Sequence, residues 1–174
     1  MNEQHAKDLR IDRKLTSTVG HSMGGHMAIA GMLDNPQVNC AFAWDGANLG
    51  ANGVGLINDP NTTIPWLEYS DTLFMLNGWS AEKAKAETKM YANKLDLNRR
   101  ADNINGRPVL LVGADTLVIP MDLHIKPLLS ALKATKNSQV FYELLDDDHS
   151  FNSSRAELIS LTSKFLSKHC LKRN

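Results

Sequence analysis

Apolar and polar positions along this chain fall into short blocks that predict alternating strands and helices. Residues 1 to 13 are polar and mixed in charge, and predict a helix end or linker. Leu15 to Val19 is short and β-branched, which predicts a strand. Met23 to Leu33 carries small and apolar residues at helical spacing and stops at Asp34-Asn35-Pro36. "VNCAFAW", Val38 to Trp44, is a continuous apolar run of the kind buried on both faces of a parallel sheet. Residues 46 to 65 are rich in Gly, Asn and Pro and predict a long loop. Ser80 to Lys94 predicts a helix with Ser80 as N-cap and Lys and Glu on its outer face. "RPVLLVG" predicts another buried strand, and Leu123 to Ala134 a helix with Pro127 in its first turn. "SQVFYELL" predicts a last strand. Ser153 to His169 predicts a closing helix with Leu158, Ile159, Leu161, Thr162, Phe165 and Leu166 on one apolar face. This alternation predicts an α/β fold, a three-layer αβα sandwich on a mostly parallel sheet.

The length of 174 residues fits one domain with a real core. Lys plus Arg and Asp plus Glu balance at 19 each, which argues against a general binder of nucleic acid or anionic membrane. The acidic run Asp146 to Asp148 and the basic tail from Lys164 to Arg173 read as solvated surface. Cys40 lies in an apolar run and reads as a buried thiol. Cys170 lies near a polar end, and a bridge between the two is left open. The start has no apolar core of a signal peptide, and no stretch is long and apolar enough to span a bilayer. As written, the chain is expected in the cytoplasm; a true start upstream of Met1 would leave room for export.

The chemistry gathers at "GHSMGG". Gly20 and Gly24 bracket Ser22 in the pattern G-x-S-x-G, between a predicted strand and a predicted helix. A serine on so tight a turn needs small neighbours, because side chains at the flanking positions would clash. There Ser22 is a candidate nucleophile, and the Met23 N–H, at the helix start, a candidate oxyanion donor. Of the six histidines, His149 follows the last strand and could reach across the sheet edge as general base. The plainer reading of His149 is a solvated loop residue. His21 and His26, beside Ser22 in sequence, read as packing or surface residues. Asp45, after "CAFAW", and Asp115, after "LLVGA", both end strands and both fit the order Ser, Asp, His. The plainer reading of either is a turn residue or helix cap. No metal-ligand spacing is present, and no cofactor is expected.

From "GHSMGG" through "RPVLLVGAD" to "DDHSFN" the sequence resembles the α/β-hydrolase superfamily. "CAFAWDGANLG" is similar to the segment after the sixth strand of the platelet-activating-factor acetylhydrolase family, where the acid takes the place of Asp45. S9-type peptidases and many bacterial hydrolases carry the acid after the seventh strand. In "GADTLVIP" Thr116 takes that place and Asp115 lies one residue early, which favours Asp45. The resemblance implies a small-molecule ester substrate, attack by Ser22 with His149 as base, an acyl-enzyme, and peptidase activity as the alternative. It makes residues 46 to 105 a lid or pocket insert, with Trp66, Phe74, Met75, Leu76 and Trp79 as apolar bulk or as plain packing.

In that superfamily the elbow follows the fifth strand, whereas 21 residues precede Ser22 here. The resemblance therefore implies the C-terminal portion of the fold. The loop that gives the second oxyanion N–H would be lacking, a loss worth about a hundredfold or more in rate. The first strand would be left with a free edge, which could pair with another copy or chain. A non-catalytic remnant or association module is the reading from a different class.

Overall fold

The computed structural model describes residues 3–9, 11–114 and 116–171. The apolar runs form a sheet: β1 (Ser17–His21), β2 (Cys40–Trp44), β3 (Val109–Gly113) and β4 (Val140–Leu144). The four strands lie in the order β1-β2-β3-β4, each parallel to its neighbour. Parallel neighbours need crossovers, and the helical stretches between the strands supply them. The helices are α1 (Glu3–Asp8), α2 (Met23–Asp34), α3 (Leu49–Asn58), α4 (Ile64–Asp71), α5 (Ala81–Leu95), α6 (Ile125–Lys133) and α7 (Arg155–Phe165).

The period of two along the inner strands splits the core. Ala41, Ala43, Val109 and Leu111 face Ile29 and Met32 of α2, Leu128 and Leu132 of α6, and Leu97 and Ile104 of a 3₁₀ stretch (Leu97–Ile104). Cys40, Phe42, Leu110 and Val112 face Leu158 and Phe165 of α7 and Cys170 of a π turn (Leu166–Cys170). Helices thus cover both faces. The outer strands are half covered: Val19 of β1 and Leu144 of β4 are exposed.

Several expectations need correction. Residues 46 to 65 are not a loop but α3, a 3₁₀ turn (Pro60–Thr63) and the start of α4. The glycines that suggested a loop serve close packing: a Cβ on Gly50 would lie 2.1 Å from Asp96 N, and one on Gly53 2.3 Å from Thr88 O. The closing helix changes to a π turn at Leu166, and Ile159 is exposed rather than on the buried face. Cys40 is not a free thiol: it is bonded to Cys170, across 130 residues of chain. Other boundaries held to within a few residues, and Ser80 caps α5 by accepting the Lys83 N–H at 3.3 Å. Among the described residues no helix is long and apolar enough to cross a membrane, and no group of three His, Cys, Asp or Glu is placed to hold a metal.

Candidate active site

Strands β1 and β2 end side by side, with His21 paired to Trp44, so the residues that follow them meet at one sheet edge. Ser22 caps α2 with φ 58° and ψ −123°, a conformation costly for a residue with a Cβ, on the order of 1–3 kcal/mol. Its N–H donates to Trp44 O (3.0 Å), and its carbonyl accepts from Gly25 N (3.0 Å) and Ala47 N (3.1 Å). These bonds fix the elbow to both β2 and α2. The first residue of α2 is Met23, so its N–H stands at the positive end of the helix dipole beside Ser22.

The glycines of the motif are unequal. A Cβ on Gly20 would lie 1.9 Å from Gly24 O, so this position excludes any side chain. Gly24 has open space around its Cβ position, contrary to the expected clash. The tight contact belongs to Gly25, whose Cβ would lie 2.7 Å from Gly46 Cα, where α2 crosses the chain leaving β2.

Asp45 is fully buried, with φ 40°. Its Oδ1 accepts from Ala114 N (3.1 Å), and its Oδ2 lies 2.6 Å from Nδ1 of His149. A carboxylate accepts, so Nδ1 carries a proton and donates to it. Thr116 donates its hydroxyl to Asp45 Oδ2 at 3.4 Å. Asp115 lies outside the described residues. Among the described residues no hydrogen bond joins Ser22 Oγ to His149, whose Nδ1 is engaged by Asp45.

The acidic run that read as solvated surface organises the His149 loop. Asp147 accepts the N–H groups of Ser153 (2.9 Å) and Ser154 (2.5 Å). Asp148 accepts Ser150 N (2.7 Å) and the Asn152 amide (2.9 Å). Desolvation opposes the charge on Asp147, but the N–H groups of Asp148 (2.8 Å), Ser154 and Ser153 outweigh it and hold the carboxyl below its usual range. On Asp148 the Asn152 amide does the same. Phe151, buried at φ 54°, anchors the loop in the core beneath α7.

Two further histidines are brought to the site. His26 and His124 are buried at the start of α3: His26 Nδ1 accepts from Leu49 N (3.3 Å), and His124 Nδ1 lies 3.1 Å from Asn48 N and 3.2 Å from Asn48 O. A main-chain N–H can only donate, so His26 Nδ1 carries no proton; at His124 the tautomer decides whether Nδ1 accepts from Asn48 N or donates to Asn48 O. Burial lowers each pKa to about 4, with the Arg100 charge adding to the effect at His26. The Asn48 side chain is turned away from its own helix, donating to Asp96 (2.9 Å) and accepting from Leu97 N (3.1 Å). The sequence gives no sign of this arrangement.

Beside Ser22 and Met23 opens a cavity of about 450 Å³, lined chiefly by Trp66, Tyr69, Leu73, Met75, Trp79 and Tyr91. Leu76 also lines it, whereas Phe74 points to solvent.

No protein-family model matches the chain, and no curated protein matches it by sequence. Solved structures do. An acylaminoacyl peptidase of Pyrococcus horikoshii superposes with a TM-score of 0.69 at 16% identity, over 99% of this chain and 27% of that one. An esterase of Pyrococcus furiosus superposes at 0.60 and 16% identity, over 87% and 53%. A monoglyceride lipase of Saccharomyces cerevisiae superposes at 0.59 and 14% identity, over 98% and 66%. The chain thus spans about a quarter of the peptidase and half to two thirds of the other two. Over the residues it spans, the chain has the α/β-hydrolase fold.

Proposed function

We propose that this chain carries the catalytic residues of a serine hydrolase that cleaves carboxylic esters with apolar acyl or aromatic groups. The observation that carries the reading is the 2.6 Å contact of His149 Nδ1 with buried Asp45, at the same sheet edge as the strained Ser22. In this reading Ser22 Oγ attacks the ester carbonyl while His149 Nε2 takes its proton. Asp45 stabilises the imidazolium and fixes its tautomer. The Met23 N–H faces the developing oxyanion. His149 then returns the proton to the leaving alkoxide, and water repeats the cycle on the acyl-Ser22 ester. The apolar cavity beside Ser22 is suited to the acyl or aromatic group.

Fluorophosphonate labelling tests it. The chain is expected to label, and Ser22→Ala to remain unlabelled. Labelling that survives in Ser22→Ala, or none in the wild type, removes the proposal and leaves the non-catalytic reading. The match to a peptidase over nearly the whole chain favours peptide cleavage as the alternative. A blocked peptide panel run beside p-nitrophenyl esters separates the two, with faster turnover of the esters expected.

A further inference from the structure

We infer that His21 is a positioning residue for the proposed base, clamping the His149 loop to the nucleophile elbow; this rests on the reading of Ser22 and His149 as nucleophile and base. His21 immediately precedes Ser22 and ends β1. Its Nε2 lies 2.6 Å from the main-chain carbonyl of His149. A carbonyl only accepts, so Nε2 carries the proton and donates. The two imidazoles also pack against each other, with ring centroids 4.5 Å apart and planes tilted by 40°, and Phe151 meets the His21 ring edge-on at 6.3 Å.

Asp45 and His21 therefore hold the same residue from two sides. Asp45 orients the His149 ring through Nδ1, and His21 fixes the main chain that carries it. The loop's other bonds, from Asp147 and Asp148, are internal to residues 147–154 and do not reach the elbow. His21 supplies a direct tie between them. Because it is bonded covalently to Ser22, its hydrogen bond transmits the elbow's position to the base within two residues of chain. A displacement of about 1 Å between nucleophile and base can cost about a hundredfold in rate, so such a tie has kinetic weight beyond its energy. The side chain is exposed, so folding does not depend on its burial.

The full chain is assayed on a p-nitrophenyl ester. His21→Ala is expected to lower kcat by about 10- to 100-fold with KM little changed. His21→Phe keeps a ring without the donor and is expected to behave like His21→Ala. His21→Gln offers an amide donor and is expected to recover most of the rate. The Nδ1 proton of His149, followed by NMR, reads the same geometry without turnover. It is expected to be sharp in the wild type and His21→Gln, and exchange-broadened in His21→Ala and His21→Phe. Wild-type rate and signal in His21→Ala, or no recovery in His21→Gln, overturn the inference. If His21→Ala does not fold, the Phe and Gln pair decides. If the wild type shows no Ser22-dependent turnover, the hydrolase reading falls and the Nδ1 signal alone decides the role of His21.

Discussion

Ser22 and Asp45 are both non-glycine residues at positive φ, and both stand where a parallel strand ends. Neither conformation is favoured locally; each persists because surrounding bonds over-determine it. For Asp45 those bonds also decide its chemistry. With one oxygen on Ala114 N and the other on His149, its replacement by Asn leaves a buried amide that cannot accept in the same way. Asp45→Asn is expected to lower kcat by on the order of 10³- to 10⁴-fold with KM nearly unchanged, as measured on a p-nitrophenyl ester. An equal loss in Asp115→Asn, with none in Asp45→Asn, would move the role to Asp115. The glycines give a second prediction at this scale. Gly20→Ala, which drives a methyl into Gly24 O, is expected to destabilise the chain by about 3 kcal/mol or more in urea unfolding. Gly24→Ala is expected to be stable, because nothing lies within reach of the new methyl. The motif alone ranks these two glycines equally; only the approach of α2 to β1 tells them apart.

At the scale of elements, the start of α3 is the least expected feature. Two imidazoles meet its first residues, one from α2 and one from the turn before α6. Unfolded, both histidines titrate near 6.5; folded, burial lowers them to about 4. Between those values the unfolded chain binds protons that the folded chain refuses, so stability falls as pH drops from about 6.5 towards 4. Below that range the loss from these histidines levels off. Urea unfolding at a series of pH values checks this, and His124→Asn is expected to flatten the slope across that window. A slope unchanged in His124→Asn would show that its proton is not coupled to folding. The carboxyls of Asp147 and Asp148, held below their usual range, act in a lower window. The stability they give is present above about pH 4 and lost as pH falls through their depressed values. Strand and helix identities were legible because burial on one or two faces imprints a period on local sequence. The α3 region escapes this rule because Gly and Asn are local turn signals, whereas here a neighbouring helix demands small residues.

For the molecule as a whole, the Cys40–Cys170 bond ties the start of an inner strand to the last described turn. Closing so long a loop restricts the unfolded chain strongly, and contributes on the order of 2–5 kcal/mol. Dithiothreitol, or Cys170→Ser, is expected to lower the melting temperature clearly while the far-ultraviolet circular dichroism at room temperature stays close to that of the oxidised chain. A melting temperature indifferent to reductant would contradict the bridge.

Sequence alone determined the four strands, their parallel sheet, the tight turn at Ser22 and the position of His149 beyond the last strand. Each of these is written in neighbouring residues, through period, glycine spacing or a strand end. Tertiary structure brought Asp45 to His149, joined the two cysteines, and gave His21, His26 and His124 their partners. Those outcomes depend on residues such as 45, 116 and 149 arriving together after two crossovers. No local pattern encodes the distance between them, because it is set by strand register and by how closely the helices pack.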